Sequence, residues 1–176
     1  MAVFDKCGMY ELLENIYSQV QRGCELAREV SVQKPVNNII IAAIGGSAMP
    51  GYILQQYMKD LSMPISVIED YRLPEFADKN SLVFAISYDG CTEETISMYK
   101  DAQKKGCQIV ALSCGGKLRE LSLFNKTKHL NLPSGLQSRL AYAYLFFPIL
   151  KILENSNIVE EQGDYIKKAV KILKHN

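Results

Sequence analysis

The chain has 176 residues, 48% of them hydrophobic, a size and composition typical of one globular domain with a sizeable core. Its 20 basic and 19 acidic residues leave a net charge of +1, which gives no electrostatic reason to expect nucleic acid or an anionic membrane as a partner. We therefore expect a single domain over residues 1–176, with its core at about residues 36–155.

The five cysteines are scattered and form no C-x-x-C pair, and only two histidines are available to complete a zinc site. Reduced thiols, with no metal and no cofactor, are the simplest expectation. The start of the chain lacks the pattern of a signal peptide, and its most apolar stretch, LAYAYLFFPIL, is too short to span a bilayer. These features predict a soluble cytoplasmic protein.

The first predicted element is an amphipathic helix over residues 9–31, because apolar residues recur there at helical spacing. The segment VNNIIIAAIGG then places contiguous β-branched residues between Asn and Gly. Such a run is typical of a strand buried on both faces, as in a parallel sheet.

Four further short apolar runs follow, namely ISVIED, SLVFAIS, CQIVALS and KHLNL. Segments of helical length and composition separate most of them, including SAMPGYILQQYMKD and TEETISMYKDAQKKG. Strands that alternate with helices imply right-handed crossovers. We therefore predict an α/β fold with a doubly wound, five-stranded parallel sheet flanked by helices. For its strand order we assume the flavodoxin-like order 2-1-3-4-5.

Two more helices are predicted at the end of the chain, over residues 138–154 and 159–173. The first is apolar almost all round, so we expect a second subunit or domain to cover what a single sheet cannot. Pro148 is expected to kink this helix or to mark the start of a second segment.

Ligands of open parallel sheets bind beyond the carboxyl ends of strands whose crossovers leave on opposite faces. In the order 2-1-3-4-5, the loops IGGSAMPG and ISYDGCTEET meet at that point. Gly45 and Gly46 permit close backbone approach, while Ser47, Ser87 and Thr92 supply hydroxyls. With two helix N-termini, these groups predict a phosphate site that needs no lysine.

Two alternatives remain open at this stage. Each hydroxyl could simply cap the helix that follows it. Glu69, after the second strand, is also placed like the acid that binds a ribose, although GGSAMPG lacks the G-x-G-x-x-G pattern of a dinucleotide site.

Five ordered motifs, GGSA, EDYRLP, SYDGCTEET, GGKLREL and SRLAYAYLFFPIL, resemble the first sugar isomerase (SIS) domain of archaeal-type bifunctional phosphoglucose/phosphomannose isomerases. The resemblance covers about residues 8–155. It implies a hexose 6-phosphate ligand (fructose, glucose or mannose 6-phosphate), bound at Ser47, Ser87 and Thr92, and a catalytic Arg139 that stabilises the enediolate. We expect Gly46 and Asp89, in the same two loops, to belong to the substrate-binding site as well. An ordinary salt bridge at a helix start is the other interpretation of Arg139.

The chain departs from the family motif S-Y-S-G-N-T-E-E-T by having Asp89 for its second serine and Cys91 for its asparagine. A carboxylate 4 Å from a phosphate is repelled by about 4 kcal/mol per charge pair at an effective dielectric of about 20. Asp89 is therefore expected either to turn away and cap the helix or to weaken phosphate binding.

Family members are about twice as long, and the resemblance places their catalytic glutamate and ring-opening histidine in the second half. His129, in a predicted strand, and His175, at the C-terminus, match neither, and Glu93 and Glu94 are expected to support a helix start. The leading hypothesis is thus a sugar-phosphate-binding isomerase domain that needs a second SIS half or acts as a homodimer. The alternative is a non-catalytic sensor or dimerisation module.

Overall fold

A computed structural model describes residue 5, residues 8–33 and residues 35–175 of the chain. The predicted free thiol of Cys7 and the side chain of His175 lie outside the described part. Within that part, no helix combines the length and the apolar character that crossing a bilayer requires.

Five parallel strands form one sheet in the order β2-β1-β3-β4-β5, which confirms the predicted fold class and strand order. Each predicted apolar run contains one strand. Every residue of β3 is buried, as are five of six in β1 and β4, because helices cover both faces of the central strands. The strands are β1 (Asn38–Ala43), β2 (Ile65–Ile68), β3 (Ser81–Ile86), β4 (Gln108–Ser113) and β5 (Lys128–Asn131).

Side chains alternate between two apolar layers along the central strands. The helices are α1 (Met9–Glu14), α2 (Ile16–Leu26), α3 (Met49–Tyr57), α4 (Glu93–Lys104), α5 (Gly116–Phe124), α6 (Tyr142–Asn155) and α7 (Gly163–His175). Ile39 and Ile41 face the layer that contains α3 and α6, whereas Ile40 and Ala42 face the layer that contains α4 and α5. The crossovers after β1 and β3 thus leave on opposite faces.

The opening helix is divided, whereas the apolar spacing predicts a continuous one. Asn15 separates α1 from α2, and its side-chain amide donates to the carbonyl oxygen of Glu11 at 3.0 Å. Such a local side-chain bond competes with the regular helical pattern. At the other end of the chain, α7 begins at Gly163, four residues later than predicted.

The apolar helix after β5 is covered by a second element of this chain, and not, as expected, by another subunit or domain. Helix α2 packs on α6, so α6 lies between α2 and the sheet, and Leu145, Ile149 and Ile152 are fully buried within this chain. A single helix also continues across Pro148, which does not divide it. The approach is close, since a Cβ atom at Gly23 of α2 would lie 3.3 Å from the ring of Pro148.

Candidate functional site

A cavity of about 340 Å³ lies where β1 and β3 end, at the point where their crossovers diverge. The sequence predicts the candidate site at this same switch point of the sheet. The cavity is lined by Ile44, Ser47, Tyr88, Asp89, Thr92, Leu136 and Ser138.

The β1 side of the cavity is a 3₁₀ turn over Gly45–Ser47. Ser47 is only 7% exposed, and its hydroxyl makes no hydrogen bond to any other described residue, so it is available to a ligand. Gly46 lies behind it, where an added Cβ atom would come within 3.3 Å of the Ser138 hydroxyl. The glycine thus allows the two serine-bearing segments to approach.

Glu69 fixes the start of this turn. Its carboxylate accepts hydrogen bonds from the phenol of Tyr52 at 2.7 Å and from the backbone N–H of Gly45 at 2.8 Å. The bond from Tyr52, followed by that from Gly45, lowers the pKa of Glu69. Each carboxylate oxygen thus accepts one hydrogen bond from within the chain, which ties Glu69 to the turn after β1 and to α3.

The β3 side of the cavity is a turn organised around the buried hydroxyl of Ser87. This oxygen lies 2.8 Å from the hydroxyl of Thr92 and accepts the backbone N–H of Gly90 at 3.1 Å. Thr92 precedes α4 but its side chain makes no capping bond. Simple helix capping therefore does not account for the Thr92 hydroxyl, which faces the cavity.

Asp89 lies in the cavity wall and does not turn away to cap α4, which corrects the first of its two expected outcomes. Its Oδ1 atom accepts the hydroxyl of Ser87 and the backbone N–H of Cys91, both at 2.9 Å. The carboxylate thereby engages two donors of the turn itself. It is the one acidic side chain among the lining residues, and none of them is basic.

A segment from beyond β5 closes the cavity. The phenol of Tyr88 donates to the carbonyl oxygen of Pro133 at 2.7 Å and accepts the N–H of Leu136 at 3.1 Å. Burial raises the pKa of Tyr88, which keeps this bridge neutral. The bridge holds the segment that brings Ser138 into the wall.

Sequence reasoning missed Ile44, Tyr88, Leu136 and Ser138 as lining residues. Two of them carried a signal, since Tyr88 belongs to the motif SYDGCTEET and Ser138 precedes Arg139 in SRLAYAY. Arg139 itself is exposed and is not among the lining residues, although its backbone nitrogen would lie 3.8 Å from a Cβ atom at Gly46. No ion pair of the described residues involves Arg139.

The turn after β4 supports the turn after β3 by direct backbone contact. A Cβ atom at Gly90 would lie 1.9 Å from the carbonyl oxygen of Gly115, and Gly90 has a φ of +76°. The N–H of Leu118 also donates to the carbonyl oxygen of Gly90 at 2.9 Å. The motif GGKLREL therefore serves the cavity indirectly, by shaping the surface on which its polar turn rests.

His129 lies in β5, as predicted, where its ring is hydrogen-bonded to a neighbouring strand and does not line the cavity. Its Nε2 atom is 2.8 Å from the hydroxyl of Ser113, which itself donates to the carbonyl oxygen of Gly115 at 2.8 Å. Ser113 must therefore accept from His129, so Nε2 carries a proton. Burial, reinforced by Arg119, lowers the pKa of His129 to about 4.

Within the described ranges, no three His, Cys, Asp or Glu side chains converge on a possible metal position. The polar groups that face the cavity are hydroxyls, a phenol and one carboxylate. Such an arrangement can bind a polyhydroxylated ligand by hydrogen bonds.

Relatives of known name share much of this sequence. The chain is 37% identical over 169 residues to the bifunctional phosphoglucose/phosphomannose isomerase of Caldicellulosiruptor bescii, covering 94% of this chain and 50% of that protein. It is 31% identical over 147 residues to the D-glucosamine-6-phosphate 4-epimerase of Sulfolobus acidocaldarius, covering 82% and 47%. No family model matches the chain.

A solved structure from Clostridium difficile, assigned as a phosphosugar isomerase, superposes with a TM-score of 0.73 at 17% identity over 94% of this chain and 52% of that one. The chain has the fold of a sugar isomerase (SIS) domain. This SIS domain spans about half the length of the curated relatives it matches.

Two further solved structures with a similar fold are a protein complexed with a sugar phosphate and a protein of about the length of this chain. The Vibrio vulnificus NanR protein complexed with ManNAc-6P has a TM-score of 0.50 at 20% identity, covering 89% of this chain and 60% of that one. A protein of Methanococcus jannaschii has a TM-score of 0.52 at 19% identity, and a function as a 3-hexulose-6-phosphate isomerase was inferred from its structure. The match covers 91% of this chain and 92% of that protein, so a SIS fold of this length also occurs as a nearly whole chain.

Proposed function

We propose that this SIS domain binds a hexose 6-phosphate and takes part in aldose–ketose isomerisation. The observation that carries the proposal is the free hydroxyl of Ser47 in a cavity shared with Thr92, at the switch point of the sheet. The bifunctional isomerases among the relatives support the choice of a hexose phosphate and of an isomerase. We place the phosphate between Ser47 and the turn that follows β3.

Isomerisation also needs a base at C2, a group that opens the ring and donors for the enediolate oxygens. The lining residues of the cavity supply hydroxyls but no histidine or glutamate. Arg139, next to the cavity wall, is our candidate for the enediolate contact. We propose that the base comes from a second SIS half or from a second copy of this chain.

Calorimetric titration with fructose 6-phosphate tests the binding step. We expect measurable binding by the unmodified chain and at least about tenfold weaker binding by Ser47→Ala, because a hydrogen bond to a charged group contributes about 1.5–3 kcal/mol. Ser62→Ala is the matched control, since Ser62 is exposed and precedes β2. It therefore lies at the amino ends of the strands, whereas the cavity lies at their carboxyl ends. Equal affinity of the Ser47→Ala and Ser62→Ala variants would remove Ser47 from the site.

A coupled isomerase assay tests the catalytic step. The chain is assayed alone and mixed with the remaining half of the Caldicellulosiruptor relative, with fructose 6-phosphate as substrate. We expect activity that depends on the second half and is lost in Arg139→Ala. Activity of the Arg139→Ala mixture equal to that of the unmodified mixture would exclude the role proposed for Arg139.

A non-catalytic sugar-phosphate sensor is the second candidate function. The cavity lining favours it, because these residues include no histidine or glutamate that could serve as the base of an isomerase. The neighbour complexed with ManNAc-6P shows that a related fold accommodates a sugar phosphate. Binding of fructose 6-phosphate without turnover in any mixture would favour the sensor.

Assembly and location remain proposals as well. We propose that the chain pairs with a second SIS half or forms a homodimer, and equilibrium sedimentation of the purified chain measures which state it adopts alone. The scattered cysteines, with no C-x-x-C pair, favour a location in the cytoplasm. Burial raises the pKa of both Cys24 and Cys107 to about 11, so neither thiol is a ready nucleophile.

A further inference from the structure

The carboxylate of Asp89 is exposed in the cavity wall and is held there by hydrogen bonds. Oδ1 accepts two hydrogen bonds of 2.9 Å, from Ser87 and from the backbone of Cys91. Oδ2 has no hydrogen bond to any described residue, although Asp89 lines the cavity. An acceptor with no assigned donor therefore remains at the place where we put the ligand's phosphate.

Moving Asp89 out of the cavity would leave the turn after β3 with fewer satisfied donors. The N–H of Cys91 and the hydroxyl of Ser87 would both lose the acceptor that they now use. No basic side chain among the lining residues is available to neutralise the carboxylate. It is therefore the ligand that has to adapt to the carboxylate.

We propose that Asp89 is a specificity-determining residue that makes the cavity bind the phosphate ester with one extra proton, held between the ester and the Asp89 carboxylate. The proposal rests on the function proposed above and specifies the ionisation state of its ligand. A phosphate ester loses its second proton with a pKa of about 6. The dianion meets the carboxylate as a like charge, whereas the protonated ester donates a hydrogen bond to it.

Other ionisable groups lie near Asp89. They are the same in all the variants compared below, so a difference between variants reports on Asp89. Burial raises the pKa of the Tyr88 phenol and of the Cys114 thiol, which faces Asp89 from the end of β4. His129, behind the turn after β4, has a pKa of about 4 and stays neutral above that value. Further charged or ionisable side chains of the neighbouring segments are the exposed thiol of Cys91, Glu93 and Glu94 in the first turn of α4, Lys117 at the start of α5, and Arg139.

Calorimetry of fructose 6-phosphate binding in buffers of different ionisation enthalpy measures the protons taken up with the ligand. The unmodified chain, Asp89→Ser and Asp60→Ser are compared from about pH 5 to about pH 8, the range that spans the second ionisation of the ester. Asp60→Ser is the matched control, because it removes the same charge from an exposed position after α3.

We expect the unmodified chain and Asp60→Ser to take up close to one proton per ligand near neutral pH, and to bind at least about fivefold more weakly at the alkaline end of the range. Asp89→Ser should take up almost none and should bind the dianion more tightly than the unmodified chain does. Equal proton uptake by the unmodified chain and Asp89→Ser would overturn the role of Asp89 while leaving the phosphate site intact. If neither chain binds at any pH, the proposed function fails together with this inference.

Discussion

Gly90 is the residue at which the polar turn after β3 touches the turn after β4. Its φ of +76° is unfavourable for any other residue, and an added Cβ atom would lie 1.9 Å from the carbonyl oxygen of Gly115. Gly106 has a similar φ of +70°, but its nearest neighbour would be 4.0 Å away. The two glycines thus share a conformation and differ in the space around them.

We expect Gly90→Ala to destabilise the fold more than Gly106→Ala does. Both variants incur the cost of a left-handed residue, about 1–2 kcal/mol, and only the first also displaces the neighbouring turn. Urea denaturation measures the difference, which we expect to be at least about 1 kcal/mol. Equal losses in the two variants would show that the two turns do not make the close contact described here.

The sequence predicted which loops meet at the site, but not the directions in which their side chains point. Ser47 and Thr92 follow strands that the pattern identifies, and their convergence follows once the strand order 2-1-3-4-5 is assumed. The direction of Asp89 was not, because it depends on which donors the folded turn presents within reach. Tyr88 and Ser138 were missed for a related reason, since a bond between Tyr88 and residues 133–136 leaves no local sequence pattern.

At the scale of elements, the contact between α2 and α6 determines how the apolar helix is covered. Gly23 of α2 faces the backbone of Ala143 and the ring of Pro148, each 3.3 Å from the position of an added Cβ atom. We expect Gly23→Leu to destabilise the fold by about 1–3 kcal/mol, the usual cost of overpacking. Thermal or urea unfolding measures this loss.

Arg22→Leu is the matched control for that substitution, because Arg22 lies next to Gly23 on the exposed side of α2. It introduces the same side chain without entering the contact and should change stability by no more than about 0.5 kcal/mol. If both leucine variants unfold at the same denaturant concentration, α2 does not pack on α6 as described.

The sequence indicated that α6 needs a second covering element, but not which element provides the cover. The indication was the apolar surface of α6, and hydrophobicity does not record which segment packs on it. Here α2 supplies it within the chain, so the apolar character of α6 is no longer an argument for dimerisation through this helix. The break at Asn15 was equally hidden, because apolar spacing continues through it.

For the whole molecule, His129 links folding to pH. Burial lowers its pKa to about 4 in the folded chain, against an ordinary histidine pKa of 6.5. Between these two values the unfolded chain binds more protons than the folded one, so stability rises with pH and is lost as pH falls. We therefore expect the urea midpoint to decrease as the pH is lowered from about 6.5 toward 5.

His129→Gln isolates this contribution, because a glutamine amide can still donate to the Ser113 hydroxyl but does not titrate. Over that range the variant should show a shallower dependence of its urea midpoint on pH. The same slope in the variant and the unmodified chain would assign the acid sensitivity to other groups.

The overall architecture was the most predictable feature, because contiguous apolar strands that alternate with helices admit few arrangements. Each of the five predicted strands forms, and their order is the predicted one. Helix ends and the cover of α6 required the tertiary structure. Local periodicity thus determined the sheet, while contacts between distant segments determined the details around it.

The bridge from Tyr88 has a consequence for when the molecule acquires its cavity during synthesis. It joins the turn after β3 to a segment 45 residues further along, beyond β4, α5 and β5. A nascent chain that has emerged only through α4 already carries Ser47, Ser87 and Thr92 but still lacks the third wall. The ability to hold a sugar phosphate should therefore arise late in translation, after most of the sheet has left the ribosome.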